Sequence, residues 1–206
     1  MAKLTATTFV TLDGVYQAPG GTDEDTSGGF DLGGWVAPFY EDAMRAYVTE
    51  WFSQAGSFLL GRRTYEIFAQ FWPKVTDPED VVASRLNSLP KYVASRTLST
   101  SDWEGTRFIA EDVVSAVRTM KASPGPEIQV HGSGDLLQTL IAHDLVDEYR
   151  LWIYPVVLGK GRRLFTDGLP PKKFEHVETR TTSTGVNVLV LRANGTPDFE
   201  SFELPD

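Results

Sequence analysis

The order in which extended and helical segments alternate constrains this chain more than any other feature. Three times a short β-branched or apolar run opens through a turn into a segment of helical period. Phe58-Leu59-Leu60 stops at Gly61, and a helix runs from Arg62 towards Phe71. Residues 106–109 feed a helix with Val113, Val114, Val117 and Met120 on one face, broken at Pro124-Gly125-Pro126. Residues 127–130 pass through His131-Gly132-Ser133-Gly134 into a helix that buries Leu136, Leu137, Leu140 and Ile141. A strand over residues 4–12 precedes these units, an amphipathic helix is expected over 39–54, and Tyr92-Val93-Ala94 reads as a strand ending at Ser95-Arg96. Beyond residue 147 the character changes. Residues 148–157 read as one long strand, and two extended segments near 174–182 and 186–192 flank Thr184-Gly185, a pair suited to a hairpin. Alternating strands and helices closed by a hairpin predict an α/β fold: a mixed, mostly parallel sheet with helices on both faces and a C-terminal antiparallel hairpin.

A chain of 206 residues, 41% hydrophobic, fills one core and is too short for two ordinary ones, so a single domain is expected over residues 1–193, followed by an acidic tail over 194–206. The formal charge of −9 disfavours nucleic acid or an anionic membrane as partner and leaves a small molecule as the expected one. No apolar run approaches the roughly 20 residues that cross a bilayer, and Met1-Ala2-Lys3-Leu4-Thr5 does not begin like a secretory signal; a cytoplasmic protein is expected. Without cysteine there is no disulfide, thiolate nucleophile or cysteine-bound zinc, and His131, His143 and His176 are too scattered for a metal cluster. No metal site is expected, and any redox chemistry falls to a dissociable organic cofactor.

In an open α/β sheet, ligands sit beyond the carboxyl ends of the strands. Three strand-end turns carry anion-binding chemistry. Gly61-Arg62-Arg63-Thr64 sets two guanidiniums and a hydroxyl at a helix N-terminus, where unpaired N–H groups and the dipole favour a phosphate. Gly132-Ser133-Gly134 offers backbone donors with no Cβ to obstruct a pyrophosphate. Ser95 and Arg96 suit a ribose 2′-phosphate. Any one of them is equally a glycine-capped turn or a solvated arginine, whereas three at successive strand ends fit a dinucleotide gripped at several points.

On the substrate side, Asp13 is the candidate catalytic group. It can bind a substrate N–H or orient water for proton transfer, and it can equally form an Asx turn with Gly14. Trp35, Phe39, Trp51 and Tyr154 are candidates for an aromatic substrate slot, though such spacing also suits packed core. Lys160, Arg162 and Arg163 either grip a substrate phosphate or solvate a turn, and His131 reads as a strand-end structural residue. The segment from Asp13 to Pro38 holds seven glycines together with Tyr16, Phe30 and Trp35, which suits a lid more than a solvated linker.

The segments Phe9-Val10-Thr11-Leu12-Asp13-Gly14, Leu59-Leu60-Gly61-Arg62-Arg63-Thr64-Tyr65, Ala94-Ser95-Arg96, His131-Gly132-Ser133-Gly134 and Leu145-Val146-Asp147-Glu148, followed by Tyr154-Pro155-Val156-Val157-Leu158-Gly159, resemble the dihydrofolate reductase-like superfamily. More closely they resemble stand-alone relatives of the reductase domain of the bifunctional riboflavin-biosynthesis deaminase/reductase. The resemblance covers about residues 3–193. It implies NADPH rather than NADH, with Gly61 to Thr64 at phosphates, Ser95 and Arg96 at the 2′-phosphate and Gly132 to Gly134 at the pyrophosphate. It also implies hydride transfer to a pyrimidine- or pterin-like compound, as in 5-amino-6-(5-phosphoribosylamino)uracil reduction; a homodimer is an assembly the sequence leaves open. Two departures matter. The first-helix position where folate reductases carry a carboxylate falls near Arg45, which argues against a dihydrofolate reductase; and without cysteines the chain cannot deaminate. A nucleotide-binding protein of the same fold without turnover is the alternative from another class.

Overall fold

The computed structural model describes residues 1–202; the last four residues of the acidic tail expected over 194–206 lie outside the described residues. Five of the eight strands follow the alternating rhythm: β1 (Leu4–Thr11), β2 (Ala55–Gly61), β3 (Lys91–Ala94), β4 (Thr106–Ile109) and β5 (Glu127–His131). They are joined by α1 (Asp42–Ser53), α2 (Arg62–Phe71), α3 (Val81–Ser88) and α4 (Val113–Ala122). Then α5 (Gly134–Ala142) leads to β6 (Glu148–Tyr154), and β7 (Phe174–Thr181) and β8 (Asn187–Ala193) close the chain. The eight strands form one sheet in the order β4-β3-β2-β5-β1-β6-β8-β7. All neighbours from β4 to β6 run parallel, and only β8 against β6 and β7 against β8 are antiparallel. The mixed sheet with its C-terminal hairpin is as expected, the hairpin turning at Gly185 with φ +85°.

Side chains alternate across the central strands, so each strand feeds two cores. Leu4, Ala6 and Val10 of β1 join Ile128 and Val130 of β5 and Leu136, Leu137, Leu140 and Ile141 of α5 in one buried cluster. Towards the other face, Phe58 and Leu60 of β2 pack with Phe52 of α1, Tyr65 of α2 and Leu86 of α3, while Trp152 and Tyr154 of β6 pack with Trp51 and Trp35. β6 stops at Tyr154, three residues short of the expected strand, because Pro155 has no N–H to give to the ladder. Helix α1 begins at Asp42 rather than residue 39, since Pro38 belongs to a separate 3-10 turn over Ala37–Phe39. Helix α3 has no counterpart in the sequence reading: its valines, serines and asparagine are weak helix formers, and the start signal was Asp80, whose carboxylate accepts the N–H of Ala83 at 2.9 Å. Among the described residues no helix is long and apolar enough to cross a membrane.

Candidate active site

A cleft of about 1280 Å³ opens at the carboxyl ends of β1, β2, β3 and β5. Pockets that hold one drug-sized ligand run to about 300–1,000 Å³, so this cleft lies above that range. All nine residues expected at the cofactor, Gly61, Arg62, Arg63, Thr64, Ser95, Arg96, Gly132, Ser133 and Gly134, line it. Local hydrogen bonds explain the convergence. The N–H of Gly61 donates to Ser133 Oγ at 3.0 Å, and the N–H of Ser133 donates to Thr64 Oγ1 at 3.1 Å. The two side chains thus staple the start of α2 to the start of α5. Ser133 holds a left-handed conformation (φ 54°, ψ 42°), and neither helix has a side-chain N-cap hydrogen bond. Two helix N-termini therefore face one cleft with first-turn donors left open.

The cations differ in how they are held. Arg62 is paired with Glu66 and donates to Thr97 Oγ1, both at 2.9 Å, and Arg63 lies 3.6 Å from Asp135. Arg96 is exposed and has no ion-pair partner among the described residues. The Ser95 hydroxyl accepts the N–H groups of Thr97 and Leu98 at 3.3 and 3.0 Å and keeps its own proton to donate. Gly134 is a glycine for a reason the sequence did not show: a Cβ there would stand 2.0 Å from Cζ of Tyr16. The Tyr16 hydroxyl donates to Asp135 at 3.1 Å, and burial, reinforced by the Asp135 charge and only partly offset by Arg162, pushes its pKa up to about 12.

Asp13 does not line the cleft. Thr11 Oγ1 donates to it at 2.6 Å, the N–H groups of Leu158 and Gly159 at 3.2 and 2.9 Å, and Arg163 lies at 3.5 Å. Burial alone would raise its pKa, but these bonds outweigh it and hold the carboxyl at about 2. The structure thus places Asp13, the expected catalytic group, outside the cleft lining, where its carboxylate ties the end of β1 to the turn after β6. The expected aromatic slot is only partly brought to the cleft. Tyr154 is fully buried with its ring edge-on to Phe9, Trp35 and Phe39 at 5.8, 5.3 and 5.7 Å. These rings fill one another's space, and of the four expected slot residues only Trp51 lines the cleft.

Helix α1 contributes Arg45, Val48, Thr49, Trp51 and Phe52 to the cleft and no carboxylate. Glu41 at its N-cap and Glu50 within it are engaged elsewhere. Glu41 accepts the Ser183 N–H at 3.2 Å, and Glu50 meets Arg180 at 2.7 and 3.2 Å. Lys160, Arg162 and Arg163 pair with Asp31, Asp25 and Asp13, so this basic run pins the segment between Asp13 and Pro38 rather than standing free for an anion.

The sequence profile of the RibD C-terminal domain family matches residues 2–188. This chain belongs to that family. YyaP of Bacillus subtilis (strain 168), an uncharacterized protein, is 38% identical over 149 residues, which span 71% of this chain and 79% of YyaP. Among solved structures, a putative riboflavin biosynthesis protein from Shewanella sp. PV-4 is similar with a TM-score of 0.64 at 18% identity, over 94% of this chain and 99% of that one. A diaminohydroxyphosphoribosylaminopyrimidine deaminase/5-amino-6-(5-phosphoribosylamino)uracil reductase from Thermotoga maritima follows with 0.61 at 14%, over 94% of this chain and 57% of its own. At such identities these two structures speak to the fold.

In this RibD C-terminal domain, sequence reasoning passed over several residues of the cleft. Thr7, Thr8, Phe9 and Thr49 line it, as do Tyr16, Arg45 and His131, which the sequence had placed in the lid segment, on the first helix and at a structural strand end. The available signal lay in β1, where Thr5, Thr7 and Thr11 recur at every second or fourth position of a strand that turns out to be central and buried.

Proposed function

We propose that this RibD C-terminal domain is an NADPH-dependent reductase that passes a hydride to a small nitrogen heterocycle, pyrimidine- or pterin-like. The observation that carries the reading is the pair of uncapped helix N-termini, α2 and α5, stapled side by side at one cleft, with Arg96, unpaired among the described residues, at the next strand end. Two dipole ends suit an anion of extended shape, and a guanidinium without an acid partner suits a further phosphate. The residues fit a dinucleotide, with Arg62, Arg63 and the 132–134 turn at the shared phosphates and Ser95 and Arg96 at the 2′-phosphate. When bound, NADPH supplies the hydride. Phe9, Val48, Trp51 and Phe52 form an apolar wall that keeps water from the reacting atoms. Arg45 stands in the α1 wall where a folate reductase places an acid, so dihydrofolate is not the substrate.

The test is NADPH oxidation, followed optically, with dihydrofolate, pterins and ribosylaminopyrimidines offered in turn. Turnover of a pyrimidine or pterin on the order of 1 per second, with dihydrofolate at background, is the expected result. Steady turnover of dihydrofolate would replace the reading with folate reduction. NADPH binding without oxidation across the panel would leave a nucleotide-binding protein.

A further inference from the structure

The floor of the cleft holds an acceptor that has no partner among the described residues. His131 at the end of β5 lies beside Thr7 of β1 in the parallel register; both are 8% exposed and both line the cleft. The histidine's tautomer follows from its neighbours. Gln129 is oriented by its amide nitrogen, which donates to the Trp51 carbonyl at 2.6 Å and to Glu127 at 3.0 Å, so its amide oxygen faces His131. That oxygen lies 3.1 Å from His131 Nε2, and only an N–H can satisfy it. Burial and the nearby Arg150 charge push the imidazole pKa down to about 3, so the ring is neutral at physiological pH and its other nitrogen, Nδ1, is a bare acceptor. Nδ1 has no hydrogen-bond partner among the described residues, yet it is not among the sealed polar atoms and so is reached from the cleft. The ring is clamped flat against Phe52, centroids 4.4 Å apart and planes 24° apart, which fixes where the lone pair points. The Thr7 hydroxyl next to it is also unpartnered. A fixed acceptor at the floor of an open cleft offers a ligand a hydrogen bond of set direction.

We infer that His131 is a specificity-determining residue whose Nδ1 accepts a hydrogen bond from a ring N–H of the substrate, with Gln129 as the positioning residue that fixes its tautomer. The inference rests on the reductase reading of the same cleft and deepens it. The ligand presents an unsubstituted ring N–H on its inner edge, and N-alkylated rings are refused. It also follows that His131, holding no proton at Nδ1, is not the acid that completes reduction.

The probes are 5,6-diaminouracil and 5,6-diamino-1,3-dimethyluracil, with dissociation constants measured by calorimetry on the full chain, with and without saturating NADPH. The wild type is expected to bind the first at least about tenfold more tightly than the second, because methylation leaves the buried acceptor unmatched. In His131→Phe, which keeps the stack on Phe52, that preference is expected to fall to within about twofold through loss of affinity for the unmethylated ring. Equal binding of the two probes by wild type, no binding of either, or an undiminished preference in His131→Phe, the mark of steric exclusion alone, would each overturn the inference. Should the variant not fold, nitrogen-15 resonances of the histidines in wild type decide. Nδ1 of His131 is expected to be unprotonated and to shift on adding 5,6-diaminouracil; a protonated or unmoved Nδ1 overturns it. A preference that holds while NADPH fails to bind upholds the recognition and removes the reductase reading.

Discussion

Arg62 and Arg96 stand at the ends of neighbouring strands, yet one is already committed and the other is not. Arg62 spends its guanidinium on Glu66 and Thr97, whereas Arg96 has no acid partner among the described residues. If Arg96 meets a 2′-phosphate, Arg96→Ala removes a charge-assisted contact of about 1.5–3 kcal/mol, roughly tenfold to a hundredfold in NADPH affinity. NADH lacks that group and should stay within about twofold, while Arg62→Ala should weaken both nucleotides. Dissociation constants at one ionic strength check this, and equal losses for both nucleotides at Arg96→Ala would remove it from the 2′-phosphate. Asp13 is argued from the opposite kind of surroundings. Asp13→Ala strips an acceptor from two backbone N–H groups and a hydroxyl, so a cost of about 1–3 kcal/mol is expected in urea unfolding. Its folded pKa of about 2 lies below the ordinary 3.8, so its contribution is complete above about pH 4 and fades as pH falls towards about 2. The gap between wild type and Asp13→Ala should therefore narrow over that acid range. An unchanged urea midpoint together with abolished turnover would restore the catalytic reading.

At the scale of elements, the segment between β1 and α1 is the one expected to act as a lid. Its inner half is packed: Val15, Ala18 and Phe30 are buried together, Gln17 donates to the carbonyls of Asp25 and Ser27 at 3.1 and 2.9 Å, and Trp35 Nε1 donates to the Gln17 carbonyl at 2.9 Å. Its cleft side, Tyr16 to Gly20 with Glu24 and Asp25, is held to the body through Tyr16 on Asp135 and Arg162 on Asp25. A nucleotide phosphate at the N-terminus of α5 would meet the Tyr16 ring, which packs on Gly134, so binding should exchange these latches for ligand contacts and slow local opening. Hydrogen exchange is expected to slow in this segment with saturating NADPH and a substrate analogue; exchange unchanged by both ligands would show that the segment is not a lid. The sequence revealed this element through its length, glycines and aromatic residues. It did not reveal the latches, because each joins residues more than a hundred positions apart. Helix α3 was illegible for a different reason, since its residues prefer other conformations and it is held by the Asp80 cap and by Leu86 packed beneath it.

For the whole molecule, the rhythm of strand, turn and helix foretold the sheet because period and turn chemistry are local. The strand order was out of reach, since placing β5 between β1 and β2 depends on pairings between residues far apart in sequence. The same division separates the turns expected to hold a cofactor from the residues expected on the substrate side. The turns were legible because glycine, serine and arginine at a strand end carry their chemistry locally. The floor of Thr7 and His131 appears only when β1 and β5 lie in register, and the aromatic slot failed because Phe9, Trp35, Phe39 and Tyr154 met one another instead. A cleft assembled from the ends of β1, β2, β3 and β5 makes ligand binding a property of the folded sheet as a unit. An unfolded chain keeps no such site, so a nucleotide at about 100 times its dissociation constant should add about 2.7 kcal/mol to the stability of the native state. For a domain of this size each kcal/mol raises Tm by about 2–4 °C, so NADPH should raise Tm by about 5–11 °C. NADH at the same concentration should give a smaller shift by the amount the 2′-phosphate contributes, and Arg96→Ala should bring the two shifts together. A shift below about 1 °C with millimolar NADPH would mean that the two helix N-termini do not hold a dinucleotide, whatever else the cleft binds.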